Sequence, residues 1–146
     1  LQSFRWPVDF ENGQGYNRAH LNSLGGKLSD DFLRLIPSEP TYVPSEDQIE
    51  QALSVLQELR PHVRPEALVW DEVEFVDQGS NFGSVSCSCC GTGLDVIWWG
   101  EQMNISYERS HFRDRMLKTP CCGCLTDLNA LRYSWPAGFA RFMLQL

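Results

Sequence analysis

Six cysteines fall in two tight groups, Cys87-Ser88-Cys89-Cys90-Gly91 and Cys121-Cys122-Gly123-Cys124, and each group contains a C-x-x-C spacing. Two thiolates three residues apart on a tight turn can converge on one ion at about 2.3 Å, while the backbone amides of the turn offset their charge. A glycine after the pair permits the positive φ that such a turn needs. Two turns complete a tetrahedron of four thiolates. That donor set suits a structural Zn²⁺, one per chain, and leaves no position open for water or substrate. Spacing selects Cys87, Cys90, Cys121 and Cys124, with Cys89 and Cys122 as spare thiols. The place of the following glycine instead matches Cys122-Gly123 to Cys90-Gly91, so that Cys121 and Cys122 form the second pair. Both sets stay open.

Disulfides are the competing use of an even cysteine count. Four of the six lie in adjacent pairs, which bond poorly to each other, and a chain of 146 residues needs no staples. A redox C-x-x-C is a third use, but two matched turns argue for one shared ion. Other chemistry lacks a framework. His20, His62 and His111 are scattered, and neither H-E-x-x-H nor G-x-S-x-G occurs, so no catalytic residue is assigned. An acid/base pair of His111 with Asp114, Glu101 or Glu108 is the enzymatic alternative. Gly25-Gly26-Lys27 lacks the spacing that cradles phosphate. Arg109, Arg113, Arg115 and Lys118, with Tyr107, Phe112 and Trp99 nearby, form the only candidate nucleic-acid face; the plainer reading is a strand with charged edges.

The elements that position the cysteines follow from periodicity. The spacing predicts a helix over 46–60: Ser45 and Gln48 make a capping box, Glu46 and Asp47 suit the helix start, and Ile49, Ala52, Leu53, Leu56 and Leu59 define a core-directed face. Period-two alternation from Leu68 through Val73 and Phe75, a turn at 77–81 and a second stretch from Phe82 to Cys87 predict a β-hairpin that runs into the first cysteine turn. A helix is expected over 95–106, a strand over 112–119, a short helix capped by Thr126 or Asp127 and ending at Tyr133, and a closing strand over 139–146. Of Trp98 and Trp99, one ring should pack on the metal module and the other face away, because adjacent helical residues do not share a face. Residues 1–44 read as an irregular arm anchored by Trp6, Phe10, Tyr16, Phe32 and Tyr42, with one short helix over 28–36.

Length and 42% hydrophobic content fit one folded domain: arm 1–44, helix and linker 45–67, core 68–146. Twelve Lys and Arg against 19 Asp and Glu give a net charge of −7, which disfavours nucleic acid. The apolar runs are too short to span a membrane, and Leu1 opens no signal-like segment.

Several stretches together resemble a group of small uncharacterised bacterial zinc-ribbon-like proteins, over roughly residues 68–146. They are Phe75-Val76-Asp77-Gln78-Gly79-Ser80-Asn81-Phe82, the turn Cys87 to Gly91, Trp98-Trp99, Thr119-Pro120-Cys121-Cys122-Gly123, Leu128-Asn129-x-Leu131, and Trp135-Pro136-Ala137-Gly138-Phe139-Ala140-Arg141-Phe142. The resemblance implies a metal site and a bacterial cytoplasmic origin, and it raises Cys122 as a ligand, since similar chains do not all place a Cys at the position of Cys124. It carries no activity with it.

The expectation is therefore an α+β fold: a small antiparallel sheet with helices on one side and a zinc-ribbon-like two-knuckle metal site, whose candidate ligands are Cys87, Cys90, Cys121, Cys122 and Cys124. The expected function is a non-enzymatic module that binds another protein, such as an immunity or inhibitor-type protein of a bacterial toxin system. An acidic surface suits a basic toxin. The alternatives are a nucleic-acid-binding zinc ribbon and an enzyme using His111.

Overall fold

The computed structural model describes residues 33–77 and 82–146. Their order is β1 (Arg34–Leu35), α1 (Glu46–Leu59), β2 (Glu66–Val76), β3 (Val85–Ser86), α2 (Val96–Ser110), β4 (Met116–Lys118), β5 (Leu125–Asp127), a 3-10 turn (Leu128–Ala130), β6 (Arg132–Tyr133) and β7 (Gly138–Gln145). Two helices and antiparallel strands make an α+β architecture. The strands form three small sheets in place of the single one expected: β1-β7-β2, β3-β6 and β4-β5.

The hairpin expected between residue 68 and Cys87 does not form. β2 pairs along its length with β7, from Glu66 opposite Gln145 to Val76 opposite Gly138, with an irregularity between Val69 and Glu74. β3 pairs with β6 instead. The reason is burial: β7 is apolar on both faces, with Phe139, Ala140, Phe142, Met143 and Leu144 all buried, so the eleven-residue β2 covers more apolar surface there than on the two-residue β3. The expected turn at 77–81 lies mostly outside the described residues. At Gly138, where β7 begins, a Cβ would meet Ile36 Cδ1 at 2.6 Å and that side-chain end would have to move aside.

α1 forms as its capping box dictates: Gln48 N donates to Ser45 Oγ at 3.4 Å and Ser45 N donates to Gln48 Oε1 at 2.9 Å. Its apolar face is not core-directed, however. Ile49, Ala52, Leu53 and Leu56 are half-buried, Leu59 is exposed, and no residue of the helix is fully buried. The expected helix over 28–36 falls partly outside the described residues; where described, it is strand β1, paired to the end of β7. Trp6, Phe10, Tyr16 and Phe32 lie outside the described residues, and Tyr42 is exposed.

α2 runs four residues past its expected end. Asp95 caps it, accepting from Trp98 N at 2.9 Å, and Trp99, Met103 and Ser106 face the core. It stops where His111 and Phe112 take φ of 48° and 58°. A left-handed conformation is costly for a bulky residue. Phe112 is held there by complete burial, its ring 5.1 Å from Phe139 and 5.4 Å from Tyr107. The helix expected up to Tyr133 shrinks to one 3-10 turn capped by Asp127, because Arg132 and Tyr133 are drawn into pairing with β3. The main core gathers Val73, Val85, Trp99, Met103, Phe112, Leu117, Leu128 and Phe139, and Cys87 belongs to it.

Candidate metal centre

The two cysteine turns are the same hydrogen-bonded loop built twice. In the first, which follows β3, Cys87 N donates to Thr92 O at 2.9 Å and Gly91 N to Cys87 O at 2.9 Å, with Gly91 at φ 75°. In the second, between β4 and β5, Thr119 N donates to Cys124 O at 2.9 Å and Gly123 N to Thr119 O at 3.0 Å, with Gly123 at φ 69°. The loops therefore correspond position by position: Cys87 to Thr119, Cys89 to Cys121, Cys90 to Cys122, Gly91 to Gly123, and Thr92 to Cys124. Ser88 Oγ and Thr126 Oγ1, 2.9 Å apart, tie the first loop to the strand leaving the second.

The two loops together gather Cys87, Cys90, Cys121 and Cys122, whose sulfurs all lie within 4.8 Å of one another. A tetrahedron of thiolates at about 2.3 Å from one ion has edges of about 3.8 Å. Three edges here measure 3.7 Å (Cys87 to Cys122), 3.4 Å (Cys90 to Cys121) and 3.9 Å (Cys121 to Cys122). Four thiols so arranged could hold a metal ion.

Cys124, which the C-x-x-C spacing offers as a ligand, is not in the cluster; it forms a disulfide with Cys89. Spacing misleads because Thr119, not Cys121, occupies the first position of the second loop. The expectation that the chain uses no disulfide is likewise overturned, for one pair. The argument against adjacent cysteines bonding each other does not bear on Cys89, which finds its partner on the facing loop.

Thr119 is the residue that the sequence reading missed. It is 2% exposed, and its hydroxyl lies 3.7 Å from Cys87 Sγ and 3.4 Å from Cys122 Sγ. The signal was present: aligning both loops on their glycines puts Thr119 opposite Cys87. The environment favours ionised sulfur on the first loop. The backbone amide of Cys90, helped by that of Cys89 and by Thr119 and Cys122, pulls the Cys87 thiol down to about 6 against the opposing effect of burial. Thr92, through its hydroxyl and its amide, lowers Cys90. Cys121 is pushed up to about 11, first by desolvation and then by its hydrogen bond with Cys90. Cations stand beside both loops: Arg132 donates to Ser88 O at 3.4 Å, and the Lys118 stem lies against Gly123.

The other candidate residues are engaged elsewhere. Arg109 pairs with Asp114 at 2.9 Å, Arg113 with Glu72 at 2.8 Å, and Arg115 with Asp127 at 3.1 Å. His111 caps α2 with its ring against Tyr107, and no His111–Asp114 pair forms. Trp99 packs among Phe75, Phe82 and Tyr133, with Trp98 half-buried at the core's edge. Among the described residues, no helix is long and apolar enough to cross a membrane.

No family model matches the chain, and neither a curated protein nor a solved structure matches it.

Proposed function

We propose that the chain is a zinc-stabilised, non-enzymatic protein-interaction module, and that its partner is a basic protein, as for an immunity or inhibitor-type protein of a bacterial toxin system. Zn²⁺ is the ion of choice for four thiolates, and Cys87, Cys90, Cys121 and Cys122 would hold it. With all four positions filled by protein, the ion joins the two loops and offers no site for chemistry. The likeness of residues 68–146 to small bacterial zinc-ribbon-like proteins, and a bacterial cytoplasmic setting, belong to this reading.

The observation that carries the interaction reading is the segregation of charge. Residues 33–77 hold ten carboxylates and three arginines, whereas residues 82–146 hold five carboxylates and six Lys and Arg. The acidic excess is thus concentrated on α1 and β2, and α1 adds the half-covered apolar face described above. A basic partner is drawn to such a surface by complementarity. The pairing of Arg109, Arg113 and Arg115 supports this reading over a nucleic-acid face.

The test is metal analysis of protein purified without added zinc, followed by reconstitution with a co-purifying partner made separately. One Zn²⁺ per chain and a basic partner whose affinity falls steeply with salt are expected. An acidic partner would overturn the reading. So would salt-dependent DNA or RNA binding lost on neutralising Arg109, Arg113, Arg115 and Lys118, or turnover abolished by His111→Ala.

A further inference from the structure

The chain places six cysteines on two facing loops where one ion takes four. The remaining two, Cys89 and Cys124, are tied to each other, one from each loop, with Cα atoms 6.5 Å apart. Cys89 lies between Cys87 and Cys90, both members of the four-thiol cluster. The Cys124 sulfur therefore already reaches across to a residue flanked by two candidate ligands. Its backbone is fixed in the second loop, since its carbonyl accepts from Thr119 N at 2.9 Å. By the loop correspondence it takes the place of Thr92, whose hydroxyl lies 3.2 Å from Cys90 Sγ. Cys122, the member it would displace, is exposed, whereas Cys87 is buried in the core.

We propose that Cys124 is a reserve metal ligand that the disulfide withholds. While Cys89 and Cys124 are joined, the ion has only Cys87, Cys90, Cys121 and Cys122. A small thiol opens the bond: two RSH give RSSR, and Cys89 and Cys124 each gain a proton. Cys124 then loses its proton to solvent, binds the ion in place of Cys122, and the released Cys122 thiolate takes a proton up. Reduction thus converts a fixed ligand set into one that exchanges between two neighbouring sulfurs. A reducing cytoplasm favours the open form.

The inference rests on the metal reading above, and the experiment separates the two. Co²⁺ is titrated into the full chain, wild type and Cys122→Ser, each with the disulfide intact and after reduction by a phosphine that is then removed. The visible ligand-field and ultraviolet thiolate bands report the number of sulfur ligands. Wild type is expected to show four thiolates in both states. Cys122→Ser should show three thiolates when oxidised and four when reduced, with at least about ten-fold tighter binding after reduction. Cys122→Ser/Cys124→Ser should stay at three. Three thiolates in Cys122→Ser in both states would overturn the proposal while leaving the metal reading intact. Four in both states, or six free thiols in unreduced wild type, would show that no disulfide withholds Cys124. Wild type that takes up no Co²⁺ in either state would overturn the metal reading and this inference with it. Should Cys122→Ser not fold, alkylation of the loaded wild type decides: Cys122 should be protected when oxidised and modified when reduced, and protected again in reduced Cys124→Ser. Equal protection of Cys122 in all three would count against the exchange.

Discussion

Thr119 fills, in the second loop, the position that Cys87 fills in the first, and its hydroxyl is within reach of two of the four sulfurs. Groups that hydrogen-bond to ligands commonly change metal affinity by about 10–100-fold when removed. Thr119→Val keeps the shape and removes the hydroxyl, so zinc affinity should fall about ten-fold by competition with a chromophoric chelator, while Thr119→Ser stays near wild type. The cysteines also make the metal-free protein sensitive to pH. Cys87 is lowered from 9.0 to about 6 in the fold, so its contribution to stability is complete above 9 and is lost as pH falls through 6. Cys121 is raised to about 11, so its contribution is complete below 9 and is lost as pH rises towards 11. Urea unfolding of the metal-free, disulfide-intact chain should therefore show greatest stability near pH 9 from this cluster. A stability that is flat between pH 6 and 9 would mean that the amides of Cys89 and Cys90 do not hold the Cys87 sulfur without the ion.

Among the elements, the β4–β5 hairpin presents the second loop, and Asp127 at its end has two duties. It caps the following 3-10 turn, accepting from Asn129 N at 2.7 Å, and it pairs with Arg115, whose side chain is 12% exposed. Arg115 in turn donates to the carbonyl of left-handed Phe112 at 2.6 Å and lies over the Phe139 ring at 5.8 Å. Asp127→Ala removes a cap and strands a largely buried cation, at an expected cost of about 2–4 kcal/mol; Asp127→Asn keeps the cap and should cost about half as much. Thermal or urea unfolding of the two variants checks the order. At the C-terminal end of α2, His111→Gly should stabilise the chain by about 0.5–1 kcal/mol, since glycine adopts the left-handed conformation without penalty. A loss of stability would show that the His111 ring contact with Tyr107 outweighs the backbone term.

At the scale of the molecule, the two loops meet at the four-thiol cluster and at the Cys89–Cys124 disulfide, 35 residues apart in sequence. Closing a loop of that length removes about 3–4 kcal/mol of unfolded-state entropy. The metal-free chain should therefore lose about 3 kcal/mol on reduction, while the zinc-loaded chain, still clasped by the ion, loses less. Unfolding with and without reductant and chelator gives the four numbers needed. Beneath both clasps lies one aromatic core, in which Phe139 is 5.1 Å from each of Phe75 and Phe112. Phe139→Ala opens a cavity that no neighbour fills, and a cost of about 3–5 kcal/mol is expected.

Much of the site was legible from residue types alone. Sulfur pairs beside glycines mark tight turns that can gather thiols, because the glycine supplies the positive φ such a turn needs, and Ser45, Asp95 and Asp127 mark element starts because capping is local chemistry. Local sequence also set α2 and the closing strand to within a few residues. Tertiary structure alone decided which strands pair: β2 crosses to β7, about seventy residues away, because burial on both faces of β7 outweighs a nearby hairpin. It likewise decided that α1 keeps its apolar face half-covered, and which sulfurs meet. Spacing pointed to Cys124 and the place of the following glycine to Cys122 as the fourth sulfur of the cluster. The choice fell to the facing loop, where Cys89 takes up Cys124 and leaves Cys122 beside Cys87.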